Sequence, residues 1–160
     1  MKYSGIIFND TAAAPGISLS VYLQGCPHRC PGCHNPETWD FFGGQEFTYE
    51  ILQQIVDGIN ANGIQRTLSI LGGEPLCVEN QFLTNMIISE VKKKYPETKV
   101  YIWTGYTYEE LLKDSTYLLN KILAETDVLI DGPYIEAERD ITLPLRGSRN
   151  QSIIDLSKKI

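Results

Sequence analysis

The sequence predicts an α/β fold organised on a parallel sheet, and three observations carry that expectation. Short β-branched or aromatic runs alternate with helical runs along the chain, the pattern of successive right-handed β–α–β crossovers. Glycine-bearing polar motifs follow the strand ends, at the carboxyl edge where parallel α/β folds bind ligands. The 160 residues suit one domain, 1–160, with its own core. A closed eight-stranded (β/α) barrel takes roughly 250 residues, so any barrel here is incomplete.

Residues 17–23 (ISLSVYL) alternate and are rich in strand formers, so they read as the first strand. It runs through Gly25 into a cysteine loop, and 34–46 read as loop. Thr48 is a candidate N-cap with Glu50 in the first turn. Behind it Ile51, Leu52, Ile55, Val56 and Ile59 form one helical face, closed by Asn62-Gly63. Residues 68–71 form a strand that stops at Gly72-Gly73. A second helix is expected over about 80–94, burying Phe82, Leu83, Met86, Ile87 and Val91, with Lys92, Lys93 and Lys94 at its negative end. Residues 100–103 are the next strand. Thr107 with Glu110 makes a capping box for a third helix, continued or followed by a helical stretch through Leu118, Leu119 and Ile122. Residues 128–130 form a strand ending at Asp131-Gly132-Pro133, and 152–156 a last one.

The net charge of −6 offers no basic field to a phosphate backbone, so no nucleic-acid partner is expected. No apolar run approaches a membrane span and the first residues lack a signal-peptide core, which predicts a cytoplasmic protein with no membrane contact. In that reducing compartment four cysteines serve metal binding rather than disulfides.

Three of them, Cys26, Cys30 and Cys33, are spaced CxxxCxxC. An ordinary [4Fe–4S] cluster has a thiolate on each of four irons. Three close thiolates leave one iron open to bind a substrate or cofactor directly. The rival ligand set is Cys26, Cys30, Cys33 and His34 around zinc, which would make the chain a non-catalytic zinc-binding adaptor. Four ligands within nine residues, two of them adjacent, give poor tetrahedral geometry, and the spacing favours iron–sulfur.

Cys26-Pro27-His28-Arg29-Cys30-Pro31-Gly32-Cys33 after one strand, and Gly72-Gly73-Glu74-Pro75 after the next, resemble the radical S-adenosylmethionine (SAM) superfamily. The stretch from Gly25 to Asn35, with Thr38-Trp39-Asp40, is similar to the cluster loop of its glycyl-radical-enzyme activases. Trp103-Thr104-Gly105-Tyr106, Asp131-Gly132-Pro133-Tyr134 and the segment Leu145-Arg146-Gly147-Ser148-Arg149-Asn150-Gln151 resemble the branch that activates anaerobic ribonucleoside-triphosphate reductase. The resemblance spans 16–154. It implies a partial (β/α) barrel of five or six parallel strands, radical SAM type, with one [4Fe–4S] cluster on Cys26, Cys30 and Cys33. It also implies that SAM is held by Gly32, Cys33, His34, Gly72, Gly73, Glu74, Asp131 and Arg149. Electron transfer into the sulfonium would then give a 5′-deoxyadenosyl radical that takes hydrogen from a glycine of the large reductase subunit. Flavodoxin or ferredoxin is the implied class of electron donor. Another glycyl radical enzyme, such as pyruvate formate-lyase, is the alternative target.

Within this reading the glycines let backbone approach the methionine moiety, and Glu74 accepts hydrogen bonds from its ammonium. Many relatives carry an aromatic residue before the third cysteine that packs on adenine; here that position is Gly32. His28 suits a cluster sulfide or solvent, and Cys77 a small apolar site. Asp131 suits SAM contact or the capping of the Gly132-Pro133 turn. Arg146 and Arg149 suit the SAM carboxylate, an acidic partner or solvent. Trp39, Phe41 and Phe42 suit the core or a partner. A small incomplete barrel also leaves a lateral opening through which a protein loop could reach the site.

Overall fold

The computed structural model describes residues 1–114 and 116–158. One seven-stranded sheet carries the chain, in the order β3-β1-β2-β4-β5-β6-β7. Its middle is the expected parallel array: β2 (Ser18–Leu23), β4 (Thr67–Gly72), β5 (Val100–Trp103) and β6 (Val128–Asp131). The register aligns Val21, Ile70, Ile102 and Leu129 across the four strands. All four are fully buried, as expected for parallel strands covered on both faces.

The parallel strands number four, not five or six. β1 (Lys2–Asp10), absent from the sequence reading, pairs antiparallel with β2, and the two-residue β3 (Gln45–Glu46) pairs antiparallel with β1. β7 (Ser152–Asp155) lies where a last strand was expected, but antiparallel to β6. The reason is the connection. Between β6 and β7 the chain forms only a single 3₁₀ turn, Glu136–Glu138, and a parallel return needs a full crossover.

Helices α1 (Tyr49–Gly58), α2 (Val78–Lys94), α3 (Tyr108–Lys113) and α4 (Tyr117–Glu125) fill the connections between the parallel strands. Thr48 caps α1 by accepting from Ile51 N–H, and Thr107 with Glu110 completes the capping box of α3. The helical stretch after α3 is a separate helix; Ser115, between them, lies outside the described residues. α1 ends before Asn62-Gly63, which form the left-handed turn beyond it. α2 starts two residues earlier than expected and packs between α1 and α4. Its buried face runs through Leu83, Thr84, Ile87, Ile88 and Val91. Phe82 is 59% exposed, off that face beside the exposed Val78 one turn earlier, so the expectation of a buried Phe82 is corrected.

Arg66 ties the antiparallel edge to the parallel core. It is buried, and its guanidinium donates to Phe8 O, to Asn9 Oδ1 and to the carbonyls of Gly58, Ala61 and Ile64. These acceptors come from the end of β1 and from the negative end of α1, where a cation is favoured. Replacing Arg66 by Met strands these acceptors and should lower stability by about 3 kcal/mol in urea titrations. Arg66→Lys should recover only part of that, because an ammonium cannot reproduce the fork of donors.

Candidate functional site

The thiol loop is pinched shut at its base before any ligand is considered. Where β2 ends, Gln24 Nε2 donates to the carbonyls of Glu37 and Asp40. Gly25 N–H donates to Thr38 O at 2.7 Å and Cys26 N–H to Trp39 O at 3.2 Å. Thr38 Oγ1 closes the loop internally on Asn35 O and reaches Gly72 O on the next strand. The three thiols of this loop are free and half-buried. Asn35 N–H points at Cys33 Sγ, 3.4 Å away, the kind of contact that tunes a cluster sulfur. Burial pushes the Cys26 thiol up to about 11.

The Gly72-Gly73-Glu74-Pro75 turn is bonded directly to that loop. Gly73 N–H donates to Leu23 O and Glu74 N–H to Gly25 O. A Cβ at residue 73 would press on the Gly25 carbonyl. The glycine there is required by the approach of backbone to backbone, whatever else the turn binds. Asn80, buried at the start of α2, donates through Nδ2 to the carbonyls of Gln24, Gly25 and Glu74.

Glu74 is the most constrained group of the site, 1% exposed. Its Oε1 accepts from Leu76 N–H (2.9 Å) and Thr104 Oγ1 (2.8 Å). Its Oε2 accepts from Gly105 N–H (2.7 Å) and bonds His28 Nε2 (2.6 Å). A carboxylate offers about four lone-pair directions, and all four are taken. In this arrangement Glu74 positions the loop, the turn and the end of β5. His28, left open between cluster sulfide and solvent, is the loop's partner in this arrangement, its ring edge-on to Tyr106 at 4.5 Å.

All of this borders one cavity of about 600 Å³, within the range of small-molecule sites. Cys26, Cys30, Cys33, His34, Gly72, Gly73 and Glu74 line it together. Gly32, Asp131 and Arg149 are not on its wall. Asp131 is buried with both oxygens on backbone, accepting from Tyr108 N–H and Ser152 N–H, a bracket between β6, α3 and β7. Arg149 is exposed, and its main chain bonds Glu138. Arg146 lines the cavity instead; its Nη1 donates to Gln151 O, while its buried Nε has no partner among the described residues. The sequence reading missed the opposite wall, Ile7, Asp10 and Tyr22 of the β1–β2 hairpin. Its signal lay in the β-forming Ile6-Ile7-Phe8 run.

Phe41 packs its ring against Gly25, Trp39 is half-buried, and Phe42 is 90% exposed. Cys77 is buried at the start of α2 with its Sγ donating to Glu74 O, and burial pushes its thiol up to about 12. It behaves as the small apolar residue expected.

The donor set suits an iron–sulfur cubane. A cubane takes each thiolate on a different iron, and three thiols arranged along one short loop satisfy that need. Among the described residues no three Cys, His, Asp or Glu side chains gather as a single-ion site.

Comparison with known proteins reaches the same class. Residues 12–154 match the 4Fe-4S single cluster domain. The anaerobic ribonucleoside-triphosphate reductase-activating protein of Vibrio cholerae is 35% identical over 96% of this chain and 97% of its own. Those of Escherichia coli K12 (32%, the same coverage) and Enterobacteria phage T4 (33%, 96% and 93%) are similar. The chain belongs to the family of anaerobic ribonucleoside-triphosphate reductase-activating proteins, iron–sulfur enzymes that bear a single 4Fe-4S domain.

Changing Glu74 to Gln places an NH₂ group against two donors at once. In cluster-free protein this should cost about 2 kcal/mol of unfolding free energy, read from urea midpoints. A carboxylate serving only a ligand would show no such loss.

Proposed function

We propose that the cavity holds a [4Fe–4S] cluster on Cys26, Cys30 and Cys33 with SAM beside it, and that the protein activates anaerobic ribonucleoside-triphosphate reductase. The observation that carries this reading is the junction of the thiol loop, the Gly72-Gly73 turn and the end of β5 around one cavity. The four parallel strands would then be the barrel portion of the radical SAM fold, within one domain over 1–160. When bound and reduced, the cluster supplies the electron that cleaves SAM and gives a 5′-deoxyadenosyl radical.

The chain's own part is to orient and to shield. The bonded base of the loop fixes the three thiols relative to β4. The Gly72-Gly73 turn keeps side chains away from that edge. Arg146 offers its unpartnered Nε as a donor to a carboxylate in the cavity. The activity named for the relatives makes the large reductase subunit the proposed partner, reached through the cavity mouth. A flavodoxin or ferredoxin is the proposed electron donor, and the cytoplasm the proposed compartment; among the described residues no helix is long and apolar enough to cross a membrane.

Each of Cys26→Ala, Cys30→Ala and Cys33→Ala should abolish cluster loading in iron and acid-labile sulfide assays, whereas Cys77→Ala should load about one cluster, like the parent. Loss of the cluster in the Cys77 variant would make it a fourth ligand and close the open iron. In the functional test, the reduced protein and SAM are mixed with a reductase whose glycine is deuterated at Cα. A glycyl radical signal by electron paramagnetic resonance, with deuterium recovered in 5′-deoxyadenosine, is the expected result. Unlabelled product without that signal would exclude this target.

A further inference from the structure

The thiol loop has a reverse side. Cys26 and His28 line the large cavity, whereas Pro27 between them lines a separate pocket of about 430 Å³. The rings of His28 and Tyr106, 4.5 Å apart, stand between the two, His28 on the cavity wall and Tyr106 on the pocket wall. Helices α2 and α3 supply the rest of the pocket. Pro27, Leu76, Val78 and Leu111 give it apolar surface, and Glu79, Glu110 and Asp114 bring three carboxylates to it.

No described lysine or arginine lines this pocket. None of its three carboxylates has an ion-pair partner among the described residues. Glu110 accepts from Thr107 N–H through Oε2, and Glu79 stands beside the Cys77 thiol. Lys113, next to Asp114, is held by Glu109 at 3.2 Å. Around the pocket, apolar side chains lie open: Val78 is 75% exposed, and Phe82 one turn along α2 is also exposed. Thr116 Oγ1 donates to Gln81 Oε1 of the pocket wall, which brings the start of α4 and the exposed Tyr117 to the same side. A surface of open apolar groups and unpaired carboxylates is complementary to a partner with apolar groups and positive charge. Lysine and arginine combine both, since their methylene stems pack on apolar walls while the heads meet carboxylates.

We infer that this pocket docks the large reductase subunit, receiving a lysine or arginine that projects from an apolar surface of that partner. This rests on the proposal that the reductase is the partner. A stable interface buries about 1,200–2,000 Å², more than a glycine segment can bury in a cavity it shares with a cluster and SAM. The partner must hold the protein elsewhere as well. A grip on the reverse of the thiol loop does so while leaving the cavity free for the glycine.

The test is sedimentation of anaerobically reconstituted, cluster-loaded protein with the large reductase subunit, at low and at high salt. The parent complex should weaken as salt rises. The double variant Glu79→Lys with Asp114→Lys should bind about tenfold more weakly at low salt. Glu50 and Glu97 are exposed and outside the pocket lining. Changing both to Lys alters net charge equally and should leave affinity within about twofold of the parent. SAM cleavage by the isolated protein with a chemical reductant should be the same in all three. Parent-like affinity in the pocket variant overturns the inference. So does an equal loss in the control variant, which would make the effect one of net charge alone. Loss of SAM cleavage along with binding overturns it too, because the pocket would then support the fold. Altered self-association with unaltered reductase binding would assign the pocket to a second copy of this chain instead. A parent protein that forms no complex with the reductase overturns the partner proposal itself.

Discussion

A single buried carboxylate organises this protein. Glu74 receives a donor from the thiol loop, one from its own turn and two from the end of β5. An acidic side chain without partners at that depth would cost several kcal/mol, so the fold must bring all these segments together or not form the site. The sheet edge and the cavity are thus consequences of one local electrostatic requirement. The backbone bonds from Gly73 and Glu74 to Leu23 and Gly25 then lock the thiols in register with β4.

That dependence explains which parts of the molecule were legible in the sequence. Cys26, Cys30 and Cys33 could be read together because their CxxxCxxC spacing is local in the chain, and Gly72-Gly73-Glu74 could be read because it punctuates a strand. The partners of Glu74 could not, since they lie at residues 28, 104 and 105 and meet only after the strands pair. Arg146 and Arg149 sit in the same motif; only the path of the loop decides that the first faces the cavity. Spacing does not encode that path.

β1 escaped detection for a different reason. Two irregularities in its pairing with β2, between Tyr3 and Gly5 and between Ile7 and Asp10, break the alternation by which a half-buried strand is recognised. It is also next to the sheet edge, so Ile7 and Phe8 stay partly exposed and give no clean apolar face. The reversed direction of β7, by contrast, was within reach: 132–151 contain no helical pattern long enough for a crossover.

The cavity draws its walls from both halves of the chain, from Ile7 and Asp10 at one end to Arg146 and Gln151 at the other. Seen during synthesis, this imposes an order. The thiol loop leaves the ribosome early, when nothing yet exists to cover it, and the last wall segment arrives more than a hundred residues later. A nascent chain can therefore expose its three thiols to solvent and oxidants long before the cavity that borders them is complete.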